Sequence, residues 1–277
     1  MFWTRLASGI VLVILALVSM GFGGALLALI LWAISLIGMR ELTKALKCAT
    51  DPKKLNTLEI LGMLGVTAYY LTLFFLGDDS MLLMCIVGFF LLVMFIYVVT
   101  FPKFNANQVL AVVFSFLYAP VMLSFVYRTR ACEEGLYLVW MILISSWGCD
   151  TFAYVVGMLI GKKKIFPLLS PKKSLEGCIG GVLGAALLGW LYGRFVVESV
   201  FPDQPGSWLI AVICAVGAVM SMLGDLAASA IKRNNDIKDY GKLIPGHGGI
   251  MDRFDSMIVT APMTYFLAIL LLAVERG

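Results

Sequence analysis

The sequence predicts an all-α polytopic membrane protein, a bundle of about nine transmembrane helices. Hydrophobic residues make up 61% of the 277 residues and charged residues only 14%, whereas charged residues account for about a quarter of a soluble domain. Several apolar runs reach the roughly 20 residues that a helix needs to cross the hydrocarbon core of a bilayer. The runs do not alternate between apolar and polar residues, which argues against a β-barrel.

Nine apolar segments follow one another, most of them joined by short turns. Only Gly21 to Gly24 separate the first two, which form either a tight hairpin or a re-entrant pair. The first is interpreted as a retained span rather than a cleaved signal peptide. The six scattered cysteines are expected to be small buried residues. The segments are 6–20, 22–39, 58–76, 81–99, 108–126, 136–160, 177–199, 207–231 and 256–274.

Positive charge is concentrated on one side of the predicted bundle. With nine spans, 17 of the 21 Lys and Arg residues lie on the side of the N-terminus and three on the other, while Arg194 falls within a segment. Cytoplasmic loops carry the excess of Lys and Arg in membrane proteins. The chain is therefore expected in the cell inner (plasma) membrane, with the polar loops on that side facing the cytoplasm.

The stretch Ser221–Asp255 is the candidate active site, because it concentrates charge in an otherwise apolar chain and holds the only histidine. Asp225 is expected about 10 Å from the cytoplasmic end of the eighth segment. Ser221, Ser229 and Lys232 fall with it in a narrow arc of the helix. A carboxylate, two hydroxyls and an ammonium in one row suit an anion and its metal.

A glycine-rich turn follows, in which consecutive backbone N–H groups are expected to point at one anion. His247 lies in this turn, either as a structural residue or in contact with substrate, and phosphate binding is favoured over general-base work. Asp252 and Asp255 are three residues apart and face one side of the last helix's first turn. They either cap that helix or bind a divalent cation, and Mg²⁺, which takes one or two carboxylates, is favoured.

Asp150 is expected near mid-membrane in the sixth segment, where acids usually face a cavity, a partner or a metal. Ser146, Asp150 and Tyr154 are spaced to share one helical face. This face either lines a cavity or forms a structural hydrogen-bond network.

The loop Gly161–Gly177 is rich in lysine, and Ser170-Pro171 within it is typical of a helix start. Lys172 and Lys173 are predicted to bind phosphate. The Lys162–Lys164 run either sets the topology and attracts anionic headgroups or takes part in substrate binding. Acids for Mg²⁺, lysines and a glycine-rich turn together indicate phosphoryl or nucleotidyl transfer at a membrane face.

The stretch from Ser229 to Asp255 resembles the signature of the CDP-diacylglycerol synthases, also called phosphatidate cytidylyltransferases. Supporting motifs are Gly224-Asp225-Leu226, the Ser-Pro-Lys-Lys-Ser-x-Glu-Gly run at 170–177, and Asp150 with Tyr154. Ala228 departs from the pattern, since members commonly carry Glu there. The matched positions are Ser229, Lys232, Arg233, Lys238, Asp239, Pro245, His247, Gly248, Gly249, Asp252, Arg253 and Asp255.

The resemblance implies Mg²⁺-dependent transfer of CMP from CTP to phosphatidate, giving CDP-diacylglycerol and pyrophosphate; a second cation is left open. It implies a catalytic group of Asp225, Asp252, Lys232 and His247. The implied metal ligands are Asp225, Asp252 and Asp255. The implied substrate-binding residues are Lys172, Lys173, Ser174, Ser229, Arg233, Lys238, Gly248, Gly249, Arg253 and Asp150.

The expected partners are CTP, phosphatidate, membrane lipids and a second copy of the chain in a homodimer, with no nucleic acid. Residues 1–135 are predicted to form structural or dimerisation helices, and residues 136–277 the catalytic helices with two cytoplasmic polar loops. Two alternative functions remain open, a CTP-dependent lipid kinase and, from another class, an ion-coupled transporter that uses Asp150 and Asp225 as its cation site.

Overall fold

The computed structural model describes residues 2–48, 54–200, 206–244 and 248–272, with side chains from residue 8 onward. Within these ranges the chain is helical and has no β-sheet, only two isolated bridges. The helices are α1 (Phe2–Phe22), α2 (Gly24–Ala45), α3 (Thr57–Phe75), α4 (Asp79–Val99), α5 (Ala106–Ala131), α6 (Gly135–Ile160), α7 (Leu175–Val200), α8 (Ser207–Asn234) and α9 (Met251–Leu272).

Eight of these helices, α2 to α9, are long and apolar enough to cross a membrane. The apolar part of α1 whose side chains are described, Ser8–Phe22, is shorter. Gly23 and Gly24 between α1 and α2 have φ of 66° and 51°, a backbone conformation that favours glycine and ends the first helix. The all-α polytopic class predicted from the sequence is confirmed.

Several helix starts follow local capping chemistry. Asn56 and Asn105 each accept a hydrogen bond from the third residue of their helix, whose side chain bonds back, and so form capping boxes. The predicted helix start at Ser170-Pro171 is wrong, because these residues lie in a turn that the Lys173 N–H closes on the Ser170 carbonyl. Helix α7 begins instead at Leu175, where the Ser174 hydroxyl accepts from the Gly177 N–H at 3.2 Å.

Each of α5, α6 and α7 contains one π-helical turn, at Leu117–Val121, Ile144–Gly148 and Gly193–Val197. A π turn takes more residues than an α turn and shifts the side chains that follow it around the helix. Ser146 lies inside such a turn and is fully buried, whereas Asp150 and Tyr154 after it are exposed. The single polar stripe predicted for these three residues is therefore confined to Asp150 and Tyr154.

The chain divides into two compact units. Unit 1 comprises Met1–Tyr127 and Asn234–Arg253, and unit 2 comprises Arg128–Arg233 and Phe254–Gly277. The sequence-based boundary between residues 135 and 136 stays a prediction.

Each unit contains its own buried packing cluster. In unit 1, large rings pack at the centre, with Phe116 meeting Tyr69 edge-on and Phe89 at a centroid distance of 4.1 Å. In unit 2, one cluster consists of small buried residues, in which Cys149 packs with Ala185 and Ala218. Small side chains allow the helices of unit 2 to approach closely, as in other membrane bundles.

All six cysteines are free thiols. Four of them are buried, as expected from the sequence, whereas Cys85 and Cys178 are partly exposed. Burial raises the pKa of the Cys48 thiol, which follows α2, to about 11. A thiol with a raised pKa is poorly nucleophilic, so Cys48 has the character of a structural residue.

Candidate active site

The clearest charged contact in unit 2 joins the α6–α7 loop to the middle of α8. The Lys173 ammonium lies 2.6 Å from Oδ2 of Asp225. The Lys173 nitrogen lacks hydrogen-bond geometry, so the contact is one of opposite charge and proximity. Both side chains are partly exposed, at 20% and 32%. The exposed surface of Lys173 belongs to its methylene groups, because its nitrogen is itself buried beside Asp225.

The loop that carries Lys173 is held by Glu176 in the first turn of α7. The Glu176 carboxylate accepts from the Lys162 N–H at 3.0 Å and from the Lys163 N–H at 3.2 Å. An isolated bridge pairs Lys164 with Ser174 on the two sides of the loop. The acid of the Ser-Pro-Lys-Lys-Ser-x-Glu-Gly run thus fixes the base of the loop.

Asp255 adds a second carboxylate to this region. It is 9% exposed and its Oδ1 accepts from the Ser256 N–H at 2.8 Å. The charged side chains that interact with it are Asp225, Lys232 and Asp150.

Gly224 explains how α8 and α9 come close enough for Asp225 and Asp255 to interact. A Cβ at position 224 would lie 2.6 Å from the Asp255 carbonyl oxygen. Any larger residue would therefore push α9 away from α8 next to the two acids.

The electrostatics of the cluster favour a cation. Asp150, Asp225 and Asp255 are acids, and Lys173 and Lys232 are the lysines beside them. Like charges held close together repel, most strongly at the buried Asp255, and a bound cation relieves that repulsion. We call these five residues the unit 2 cluster.

In the described parts of the chain, no group of three or more His, Cys, Asp or Glu residues is placed to hold a metal ion. Mg²⁺ needs only one or two protein carboxylates, because water and substrate phosphate fill its other positions. Asp225 and Asp255 meet that smaller requirement. The donor set of the unit 2 cluster therefore fits Mg²⁺.

In unit 1 the glycine-rich turn is bound by carboxylates of the protein itself. Oδ2 of Asp252 accepts from the Tyr240 N–H at 2.8 Å and from the Gly249 N–H at 3.0 Å. The preceding residue, Gly248, has a φ of 87°, and a Cβ on it would lie 2.9 Å from Oδ2 of Asp252. The Gly249 N–H thus bonds to Asp252, and phosphate binding by this turn stays a prediction.

Glu41 was not found by sequence reasoning, which placed it in a loop. In the structure it lies on α2, is 8% exposed, and accepts from the Ile250 and Met251 N–H groups at 3.1 and 2.9 Å. The signal in the sequence was an isolated acid at the end of an apolar run. Its partners are more than 200 residues away, and no local pattern could reveal them.

The remaining predicted residues are placed as follows. Ser174 is buried as the cap of α7, Ser229 is partly buried, and Ala228 is fully buried. His247 lies outside the described residues. Phosphate binding by the exposed basic residues stays a prediction, and these are Lys172, Arg233, Lys238 and Arg253.

Comparison with known proteins agrees with the motif. A sequence model of the cytidylyltransferase family matches residues 3–271. A phosphatidate cytidylyltransferase of Staphylococcus epidermidis strain RP62A is 30% identical over 255 residues, 89% of this chain and 91% of that protein. One from Bacillus subtilis strain 168 is 29% identical over 270 residues, 95% and 96% of the two chains.

A third relative extends the range of organisms. The phosphatidate cytidylyltransferase of Thermotoga maritima is 37% identical over 179 residues, which are 63% of this chain and 64% of that protein. The resemblance seen at Ser229–Asp255 thus continues over nearly the whole sequence. This chain belongs to the cytidylyltransferase family.

Proposed function

We propose that the protein transfers CMP from CTP to phosphatidate, forming CDP-diacylglycerol and pyrophosphate. Membership of the cytidylyltransferase family supports the transfer of a cytidylyl group, and the names of the relatives support the lipid acceptor. The observation that carries the proposal is the unit 2 cluster, in which Asp225 of α8, a helix apolar enough to cross a membrane, pairs with Lys173 of the α6–α7 loop. Acyl chains can stay in lipid there while a phosphate headgroup reaches charged side chains.

The reaction needs little covalent chemistry from the protein. A phosphatidate oxygen attacks the α-phosphorus of CTP in line, a new P–O bond forms, and the bond to the β-phosphate breaks as pyrophosphate leaves. The attacking phosphate is already ionised, so the step requires no general base and no covalent enzyme intermediate. The work of the protein is to position the two phosphates and to offset their negative charge.

The lysines of the cluster suit that task. Lys173 now neutralises Asp225, and an incoming phosphate is a competing anion for the same ammonium. Lys232 follows Asp225 on α8 and interacts with Asp255. We expect both lysines to bind phosphate oxygens of the substrates.

Mg²⁺ is the cofactor proposed for this site, with Asp225 and Asp255 as its carboxylate ligands. When bound, it would offset the charge that builds up on the phosphate oxygens during transfer. Asp252, the third predicted ligand, has Oδ2 already engaged by two N–H groups, and its contact with a metal stays a prediction.

We infer that the site faces the cytoplasm of an inner membrane. The inference rests on the 17 Lys and Arg residues that fall on one side of the nine-span arrangement against three on the other. Cytosolic CTP would then reach the cluster directly. The homodimer stays a prediction.

The deciding experiment follows two labelled phosphates. Purified protein in detergent micelles is given phosphatidate, Mg²⁺ and CTP labelled at either the α- or the γ-phosphorus. Cytidylyl transfer moves only the α label into lipid and releases pyrophosphate. Transfer of the γ label with release of CDP would overturn the proposal in favour of a lipid kinase.

A transporter is tested separately, because it needs no nucleotide. Proteoliposomes without CTP are expected to show no ion-driven solute uptake above that of empty vesicles. Uptake that disappears in Asp225→Asn, together with no incorporation of either label into lipid, would favour transport.

A further inference from the structure

We propose that Glu41 is a positioning residue that holds the start of α9 and the turn before it in the geometry that catalysis requires. The inference rests on the proposed function, since α9 carries Asp252, a residue of the candidate site. Glu41 lies near the end of α2 and is almost completely buried. It has no part in the reaction described above.

The contact is a helix cap supplied from a distant part of the chain. The first N–H groups of a helix have no partner within the helix and usually bond to a nearby Ser, Thr, Asn or Asp side chain. Ile250, immediately before α9, has no such side chain. Both oxygens of Glu41 take this role, Oε1 for the Ile250 N–H and Oε2 for the Met251 N–H.

Two carboxylates thus divide three successive N–H groups between them. Asp252 takes the Gly249 N–H and Glu41 takes the next two. Bonds from N–H groups to a carboxylate are stronger than bonds to a neutral acceptor. The backbone from Gly249 to Met251 is therefore fixed at every donor.

The space for Glu41 is made by two glycines of unit 1. A Cβ at Gly241 or at Gly249 would overlap the Glu41 carboxylate. Both residues belong to the segment between α8 and α9, so this segment is shaped around the acid. Two glycines packed against one carboxylate indicate that the contact of Glu41 with this segment is specific.

The charge of Glu41 is balanced by these N–H groups and the positive end of the α9 dipole. Its neighbour Arg40 pairs with another acid, Glu59, at 2.5 Å. None of the ion pairs found among the described residues includes Glu41. Glu41 is thus committed to the backbone of α9.

Asp252 follows Met251 directly, so a shift of the α9 start shifts the Asp252 side chain. Displacement of a catalytic group by about 1 Å can cost about 100-fold in rate. We expect Glu41→Gln, which keeps the size but loses one acceptor and the charge, to lower kcat at least tenfold. The KM for phosphatidate should stay within twofold, because the lysines of the unit 2 cluster are unchanged.

The matched control is Glu59→Gln, the same substitution at a buried acid of α3. Glu59 bonds to Arg40 and Thr43, and to the N–H of its own cap residue. We expect Glu59→Gln to lower the melting temperature while the kcat of the folded protein stays within twofold of the wild type. Glu41→Asp, which keeps the charge but is shorter, should give a kcat between those of wild type and Glu41→Gln.

Hydrogen exchange gives a readout that needs no substrate. In Glu41→Gln the amides of Ile250 and Met251 should exchange at least tenfold faster than in the wild type, and in Glu59→Gln they should not. This measurement tests the Glu41 contact even where no CDP-diacylglycerol is formed, so it separates this inference from the proposed function. Should Glu41→Gln fail to fold, Glu41→Asp is expected to show the same faster exchange together with a reduced kcat.

Two outcomes would overturn the role of Glu41. One is exchange at Ile250 and Met251 that is unchanged in the Glu41 variants. The other is an equal loss of kcat in Glu59→Gln, which would mean that any buried acid of unit 1 affects the rate through stability alone.

Discussion

The acids of the two units serve different purposes. In the turn of unit 1, Glu41 and Asp252 are buried and accept four backbone N–H groups at 2.8 to 3.1 Å. In the cluster of unit 2, Asp225 is partly exposed and pairs with the ammonium of Lys173 rather than with backbone N–H groups. Carboxylates that accept from backbone donors fix the chain, whereas a carboxylate paired with a side-chain ammonium can exchange that partner for a ligand. The sequence alone makes all of them look alike.

The largest effect on rate is expected from Asp225→Asn. Loss of this charge removes a proposed Mg²⁺ ligand and the partner of Lys173, and removal of one electrostatic group typically lowers kcat about 100-fold or more. The melting temperature should change little, because the side chain is partly exposed and bonds to no backbone group among the described residues. Initial rates at saturating Mg²⁺ measure the loss of kcat, and thermal unfolding measures the melting temperature. Near-normal turnover would refute the assignment of Asp225 as a metal ligand.

Asp252→Asn should also lower the rate strongly, but with a cost in stability that Asp225→Asn lacks. The neutral amide weakens two charge-assisted bonds, each worth about 1.5–3 kcal/mol in general. A clear drop in the melting temperature is therefore expected, with faster exchange of the Tyr240 and Gly249 amides. If Asp225→Asn and Asp252→Asn gave identical melting curves, the acids of the two units would not differ in their contribution to stability.

Lys173→Met keeps the length of the side chain and removes its charge. Because the ion pair is partly exposed, the free energy of unfolding should change by less than about 1 kcal/mol. We expect the KM for CTP or phosphatidate to rise about tenfold, the loss typical of one charged hydrogen bond. Lys173→Arg serves as the control, since it retains the charge, and an unchanged KM in Lys173→Met would remove the lysine from substrate binding.

Gly224→Ala is expected to lower the stability of the protein more than its catalytic rate. The added methyl would meet the Asp255 carbonyl oxygen, and overpacking of this kind costs about 1–3 kcal/mol. The rate should fall only as far as the spacing between α8 and α9 changes. Gly88 on α4 provides the control, because a Cβ there meets nothing within 4 Å, and Gly88→Ala should not lower the melting temperature.

The sequence was sufficient wherever a local property decides the structure. Runs of apolar residues determined the nine helices, since a helix satisfies its own backbone and the bilayer sets its length. The helix-breaking residues that follow Arg233 predict the end of α8, which lies at Asn234. The signature from Ser229 to Asp255 identified the family, because it depends on residue types and spacing alone.

The tertiary structure decided which residues distant in sequence contact each other. It also decided which of two similar residues takes a given role. Ser174 rather than Ser170 caps α7 because the bridge to Lys164 and the turn at Ser170 fix where the helix can begin. The π turn in α6 buried Ser146 away from Asp150.

The pairs Lys173–Asp225 and Glu41–Ile250 span tens to hundreds of residues. Electrostatic attraction and hydrogen bonding act through space, and their partners become known only when the chain is folded. The sequence by itself determined which charged groups the protein has, and the fold decided which of them are free to meet a substrate.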